Sequence, residues 1–351
     1  MHKDELREDQ IKAVDSMLLC CDPSKGFFYY YCSHCDLVEK KHVSCNSSFC
    51  TRCGKKYVDR WSDKTVKRML NVTYSHVVFT LPRDLWLLIK DNWECFRDLS
   101  AVSYRVMKEI MSERERQEIT PGMISSLQTY GQDIKYNVHF HNVITDGGLT
   151  AKENAFVKIY YFPYEKLRKK WQEYSLRIIQ KYVKEDVEKF LCWYPKGFNV
   201  RRIKERISKK ELLGYIARYL RHPPISNRRI VDYDEKIVKI VCEDESNVKW
   251  YITFTVEEFI GGLIQHIPKK GFKIIRSFGI FSRRKYKVEF KTKKIIVEVQ
   301  EIITKYFDPN CGVRCPKCGR VMALLGFYDP SYYDKPPPSE RIQQRIDRWI
   351  S

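Results

Sequence analysis

The chain has 351 residues, of which 43% are apolar, so it can bury a sizeable core, and its length favours two or three folding units over one. Its formal net charge of +20 comes from 64 Lys and Arg against 44 Asp and Glu, and this excess favours a polyanionic partner. The charged start MHKDELREDQ excludes a secretory signal, and no apolar run is long enough to cross a bilayer, so we expect a cytoplasmic protein without a membrane partner.

The aromatic content narrows the choice of polyanion. The chain contains 23 tyrosines and 18 phenylalanines, and many of them lie among the basic residues. Rings can stack on unpaired bases while Lys and Arg contact phosphates. Single-stranded nucleic acid therefore fits this composition better than a membrane surface does.

The first motif along the chain is a pair of C-x-x-C knuckles in YCSHCDLVEKKHVSCNSSFCTRCGKKY. In a reducing compartment we do not expect the thirteen cysteines to form a disulfide framework, and their grouping points to metal. The spacing predicts one tetrahedral zinc site made by Cys32, Cys35, Cys50 and Cys53. Further donors in the same segment are Cys45, His34 and His42.

The next elements predict an α+β arrangement. SHVVFTLP is a short strand, and one long amphipathic helix follows from RDLWLLIK to MSERER. We expect a shorter helix ending in SSLQTYG, then a strand in YNVHFHNVITDGGLT and another in FVKIYYF. This order predicts helices packed on an antiparallel sheet.

The strand YNVHFHNVITDGGLT carries two histidines at alternate positions. His139 and His141 share one face of the strand, while Phe140 points to the other face. Two imidazoles side by side can hold one metal ion or can be polar groups on a half-buried sheet.

The second half of the chain begins with a helix in PYEKLRKKWQEYSLRIIQKYVKEDVEKFL, and ISKKELLGYIARYLRHPPIS forms another. On the latter, Tyr215 and Tyr219 lie four residues apart and therefore on one face. A phenol that attacks a phosphate needs that phosphate polarised by a divalent cation, which the histidine pair would hold. Arg218 and Arg221 are candidates for contacts to flanking DNA phosphates.

The carboxyl-terminal third reads as a meander in RIVDYDEKIVKIVCEDESNVKWYITFTV, followed by a helix that a Thr255/Glu258 capping box opens. Beyond it, Cys315 and Cys318 form another C-x-x-C pair and are candidate zinc ligands. With Cys311 they supply three thiolates and no evident fourth. Either a distant donor closes that site or it carries no metal.

The order of these motifs resembles a known family. The segments that carry the resemblance are the C-x-x-C knuckles, HVVFTLP, LQTYGQDIKYNVHFHNVITDGGL, YIARYLRHPPISNRRI, EFIGGLIQHIPKKGFKIIRSFG and CPKCG. Together they resemble the two-tyrosine HUH transposases of rolling-circle insertion sequences. The resemblance implies an enzyme that cuts one DNA strand, keeps the 5′ end as a phosphotyrosine and leaves a free 3′ hydroxyl.

Carried to this sequence, the resemblance implies that Tyr215 and Tyr219 are the nucleophiles. It also implies that His139 and His141 hold catalytic Mg²⁺ or Mn²⁺, with zinc as a separate structural ion. Gln128 stands where related sequences often place a third ligand. The alternatives to it are Gln132, Asp133 and His76.

The resemblance also implies a division of the chain. We expect a zinc-binding DNA-recognition domain at 1–65, an HUH nuclease domain at 66–235 with a helical insertion at about 163–200, and a C-terminal α/β extension at 236–351 with the CxxC element. The expected partner is single-stranded DNA at element ends and targets, in the nucleoid of a bacterial or archaeal cell, with no small-molecule substrate. Two alternatives are a plasmid or phage replication initiator with the same chemistry and an inactive, domesticated zinc DNA-binding protein.

Overall fold

The computed structural model describes residues 6–45, 47, 49–151, 155–219, 224–244, 246–282 and 313–328. The chain divides into two compact units, one made of residues 1–12 and 51–288 and the other of residues 13–50 and 289–351. The predicted three-domain division is different from this one and stays a prediction. Cys311 and Arg221 lie outside the described residues. So does the carboxyl-terminal stretch in which Ile342, Ile346, Trp349 and Ile350 predict a short amphipathic helix.

Twelve strands and eight α-helices make up the regular structure of the described ranges. The strands are β1 Phe27–Cys32, β2 Leu37–His42, β3 Tyr74–Thr80, β4 Ile119–Tyr130, β5 Tyr136–Thr150, β6 Phe156–Lys158, β7 Val200–Ile207, β8 Ile230–Tyr233, β9 Ile237–Glu243, β10 Lys249–Thr255, β11 Ile275–Gly279 and β12 Ala323–Tyr328. The helices are α1 Glu8–Leu18, α2 Thr51–Arg68, α3 Arg83–Leu88, α4 Trp93–Glu115, α5 Tyr164–Ile179, α6 Lys189–Trp193, α7 Lys209–Tyr219 and α8 Val256–Ile264.

The larger unit is built on a six-stranded antiparallel sheet. Its strand order is β11-β4-β5-β3-β7, and β6 pairs with the far end of β5. This confirms the predicted α+β class, with helices on an antiparallel sheet. The predicted meander is also confirmed, because β8, β9 and β10 pair in sequence as a separate antiparallel sheet.

The two faces of the central sheet have different coverings, because successive side chains on each strand point to opposite sides. One face packs against α4 and α5 in an apolar core that includes Val77, Phe140 and Trp171. The opposite face carries a smaller apolar cluster that includes Tyr74, Val143 and Tyr215 of α7. The histidines of β5 alternate with Phe140, so they lie on the second face.

The predicted single long helix after β3 is two helices, α3 and α4. Asp91 has φ 63, a left-handed conformation that a continuing helix cannot contain. Asn92 then caps α4, since its side-chain oxygen accepts a hydrogen bond from the Cys95 N–H at 3.0 Å. The break follows from these two turn-forming residues within an otherwise helical pattern.

The predicted helix ending in SSLQTYG is wrong, because all of these residues except the final glycine belong to strand β4. The strand lies between β5 and β11 and is almost wholly buried. Its sequence does not alternate clearly between polar and apolar residues, because both faces of a central strand are covered and Ser125 and Ser126 are buried as well. Gln128 is therefore a strand residue and not a helix-surface amide.

The capping box predicted for α8 is confirmed. Thr255 accepts a hydrogen bond from the Glu258 N–H at 3.2 Å, and Glu258 accepts one from the Thr255 N–H at 2.9 Å. The turn that follows α8 carries the buried His266. Its Nε2–H donates to the Ile134 carbonyl at 2.9 Å, so Nδ1 accepts from the Thr129 hydroxyl at 3.0 Å.

His266 predicts an acid-sensitive contribution to stability. Burial lowers the pKa of its side chain from 6.5 to about 4, so the folded protein disfavours the protonated form. This contribution to stability is fully present above pH ~6.5 and is lost as the pH falls towards ~4. The total loss in the free energy of unfolding is about 3 kcal/mol. We expect the thermal midpoint of the His266→Gln variant to fall less between pH 7 and pH 4.5 than that of the wild type. Equal falls would contradict this role.

Candidate functional site

The site is centred on the two histidines of β5. In the register of the sheet, His139 stands between Thr80 of β3 and Gln128 of β4, while His141 stands between Val78 of β3 and Ser126 of β4. Directly paired residues point to the same side of a sheet. His139, His141 and Gln128 therefore share the face that α7 covers, and the two imidazole rings lie 4.8 Å apart between centroids.

Hydrogen bonds at Nδ1 orient both imidazoles. The Nδ1 of His139 lies 2.9 Å from the Asn137 carbonyl, which can only accept, so this nitrogen carries the proton and Nε2 carries the lone pair. The Nδ1 of His141 lies 2.8 Å from the Nε2 of His76. Histidines that bind metals through Nε2 are commonly held by such a bond at the other nitrogen.

His76 of β3 links the histidine pair to α7. It is fully buried, and its Nδ1 lies 2.6 Å from the Tyr215 hydroxyl while its Nε2 contacts His141. Burial lowers the pKa of His76 to about 3, and nearby His139 adds to that shift, so the imidazole is neutral at physiological pH. Both ring nitrogens thus take part in hydrogen bonds, one to the Tyr215 hydroxyl and one to His141.

Tyr215 of α7 takes part in the hydrogen-bonded network that His76 forms with His141. Apolar residues on either side of it, Leu212 and Ile216, are buried against the sheet and fix the rotation of the helix. Tyr215 itself is only 5% exposed. Tyr219 is the last residue of α7, one turn further on, and its side chain, like that of Arg218, lies outside the described residues.

The remaining candidates for a third ligand differ in where they lie. Gln128 is 5% exposed and directly opposite His139. Gln132 instead bonds the backbone of Glu243, and Asp133 accepts from the Lys135 N–H at 3.2 Å. Imidazole nitrogens bind divalent first-row transition metals and an amide oxygen suits Mn²⁺ or Mg²⁺, so this mixed set can hold a divalent cation.

The cysteines form two groups, and this corrects the predicted zinc ligand set. The predicted partners Cys32 and Cys35 are not grouped with Cys50 and Cys53. The Sγ atoms within each group lie within 4.8 Å of one another, and the groups are Cys20, Cys45, Cys50 and Cys53, and Cys32, Cys35, Cys315 and Cys318. All eight are free cysteines, so no disulfide competes for these thiols.

Two features of the site were not identified from sequence. Cys20 was not singled out, although the adjacent cysteines of LLCCD just before the first knuckle were a usable signal. His76 was named only as an alternative ligand, and its bridging position follows from the pairing of β3 with β5 and the packing of α7.

No helix in the described part of the chain is long and apolar enough to span a membrane.

Two known proteins that resemble this chain are both named as transposases. The transposase for insertion sequence element IS801 of Pseudomonas savastanoi pv. phaseolicola is 27% identical over 300 residues, which make up 80% of this chain and 72% of that protein. The putative transposase y4qJ of Sinorhizobium fredii (strain NBRC 101917 / NGR234) is 21% identical over 304 residues, covering 78% of this chain and 75% of y4qJ. No solved structure matches.

Two family models cover most of the chain. Residues 122–288 match a model described as a putative transposase, and residues 1–81 match one described as a transposase zinc-binding domain. The first range contains β5 and α7 with the histidine and tyrosine pairs, and the second contains six of the eight grouped cysteines. Together the matches span more than two thirds of the 351 residues, and the chain belongs to the putative transposase family, with a transposase zinc-binding domain in its amino-terminal part.

Proposed function

We propose that this transposase is a metal-dependent endonuclease and strand transferase that acts on single-stranded DNA through 5′-phosphotyrosine intermediates. The observation that carries the proposal is the continuous contact from Tyr215 through His76 to His141, next to His139, on one face of the sheet. A DNA-binding protein without cleavage activity needs no such connection between a buried phenol and a pair of potential metal ligands.

The catalytic metal would be held by His139, His141 and Gln128. A divalent cation there would polarise a phosphate of the DNA and so make its phosphorus more susceptible to attack. The Asn137 carbonyl fixes the tautomer of His139, and the sheet register holds Gln128 opposite it. These contacts arrange the donors before DNA binds, which lowers the cost of ordering the site.

His76 would then act as a positioning residue for Tyr215. If His141 binds metal through Nε2, its Nδ1 carries the proton and donates to His76 Nε2. A neutral His76 must in turn donate from Nδ1 to the Tyr215 oxygen, 2.6 Å away. This bond orients the phenol and stabilises negative charge on its oxygen as the phenol loses its proton.

Tyr215 and Tyr219 would divide the two strand cleavages between them. Attack by one phenol oxygen on phosphorus forms the phosphotyrosine bond and breaks the bond to the 3′ oxygen. The phenol loses one proton and the 3′ hydroxyl gains one, so the exchange is balanced. Because the two residues lie one helical turn apart, the second can attack another strand while the first still holds a 5′ end.

Single-stranded DNA would be held largely by charge. The chain carries a net charge of +20, and Arg218 and Arg221 flank the second tyrosine in sequence. Phosphate contacts of this kind supply affinity that falls as salt concentration rises. A replication initiator could use the same chemistry, but the similarity to the IS801 protein, a transposase for an insertion sequence element, favours element ends as the substrate.

The tyrosine assignment predicts a covalent product. Wild-type protein mixed with single-stranded DNA of its element end and Mn²⁺ should form an adduct that survives denaturation. Tyr215→Phe and Tyr219→Phe should each leave partial cleavage but impair strand transfer, since the ring is kept and only the hydroxyl is lost, whereas the double variant should form no adduct. Tyr233→Phe is a matched control, because Tyr233 is 60% exposed and lies on the meander. Full adduct formation by the double variant, or DNA mapped to another residue, would refute the assignment.

The metal assignment predicts a loss of cleavage without a loss of DNA binding. His139→Ala or His141→Ala should abolish nicking, while affinity for DNA and its dependence on salt stay close to wild type because Lys and Arg supply most of it. Gln128→Ala should raise the Mn²⁺ concentration needed for half-maximal cleavage by about 10-fold or more. The control Gln117→Ala replaces an exposed glutamine away from this face and should leave that concentration unchanged. Normal nicking by the double histidine variant would make both histidines structural.

A further inference from the structure

Two turns of the smaller unit have the same construction. In the first, β1 ends at Cys32, and Asp36 follows Cys35 with φ 47 before β2 begins. In the second, Gly319 follows Cys318 with φ 73, and the turn leads towards β12. Each turn therefore presents two thiols separated by two residues and ends with a residue in the left-handed conformation.

Backbone hydrogen bonds close the second turn. The Gly319 N–H donates to the Cys315 carbonyl at 2.9 Å, and the Cys315 N–H donates to the Arg320 carbonyl at 2.8 Å. An isolated bridge between Arg314 and Val321 continues this pairing. The left-handed position suits Gly319 because glycine adopts it without a steric cost. The turn is thus held in a shape that directs Cys315 and Cys318 to one point.

The separation of the sulfurs fits a metal and not a disulfide. The Sγ atoms of Cys32 and Cys318 are 3.6 Å apart, and all four sulfurs of the group lie within 4.8 Å of one another. Four thiolates about 2.3 Å from a tetrahedral zinc ion lie ~3.8 Å from one another. A disulfide would instead bring two sulfurs to about 2.0 Å.

The strands beside the turns bring them together. Strand β12 pairs antiparallel with β1, from Phe27 opposite Tyr328 to Tyr31 opposite Ala323, and β2 pairs with the other edge of β1. Met322 packs with Cys32 and Cys315 in a small buried cluster beside the sulfurs. The Cys32/Cys35 turn and the Cys315/Cys318 turn are therefore joined through one three-stranded sheet, although Cys32 and Cys318 are 286 residues apart in sequence.

We infer that Cys32, Cys35, Cys315 and Cys318 bind a structural zinc ion that fastens residues 313–328 into the amino-terminal zinc-binding domain. The family match for that domain ends at residue 81, so the turn with Cys315 and Cys318 is a part of the domain that the match does not contain. The other cysteine group binds its own zinc. The domain accordingly includes residues 313–328 and needs two metal ions.

Zinc content and thiol labelling of the full-length protein test this inference. The wild type should contain about two zinc ions per chain, one for each four-cysteine group. The double variant Cys315→Ser/Cys318→Ser should contain about one, and a maleimide should then label Cys32 and Cys35 while Cys45 and Cys50 stay protected. If Cys32 and Cys35 stay protected and zinc content is unchanged, the Cys32/Cys35 turn and the Cys315/Cys318 turn do not share a metal.

Two further variants separate metal binding from a general failure to fold. Cys318→His keeps a ligand that zinc accepts and should retain about two zinc ions, whereas Cys318→Ser should lose one. Cys192→Ser removes an exposed cysteine that belongs to neither group and should retain both. Loss of both ions in the Cys315→Ser/Cys318→Ser variant, with all cysteines labelled, would overturn the assignment of independent sites.

Discussion

The alternation of side chains along β5, fixed by its register with β3 and β4, is the constraint on which the rest of the site depends. A shift of one residue in either pairing would move His139 and His141 to the apolar face and Phe140 to the site. Phe140 prevents that shift, because it packs against Trp171 in the core between the sheet and its helices. The apolar face of the sheet thus holds the histidines of the other face in place.

The same constraint explains why so many polar groups can be buried near the histidines. A buried polar atom without a partner destabilises a fold, and His76 avoids this by bonding at both ring nitrogens. Its two partners are the proposed nucleophile Tyr215 and the proposed ligand His141. The position of the phenol is therefore coupled to that of the metal ligands through a rigid strand and not through a flexible loop, as accurate orientation of reacting groups requires.

The sequence predicted the parts of this arrangement that depend on local periodicity. The shared face of His139 and His141 follows from strand alternation, and the capping box at Thr255 follows from spacing. Strand β4 was missed because Pro121 and Gly122 interrupt it and its register is irregular there, so it has no regular pattern. The grouping of the cysteines could not be predicted, since two C-x-x-C pairs close in sequence looked like one site. Only the pairing of β1 with β12 connects Cys32 to Cys318.

In the mechanism that we propose, His139 and His141 bind the catalytic cation, while His76 only orients Tyr215 and His141. Pulsed electron paramagnetic resonance of bound Mn²⁺ tests it directly, because imidazole nitrogens coupled to the ion can be counted and both cysteine groups offer sulfur alone. We expect two coupled nitrogens in the wild type and in His76→Gln, and one in His139→Ala or His141→Ala. Loss of a nitrogen in His76→Gln, with both retained in His139→Ala, would contradict it.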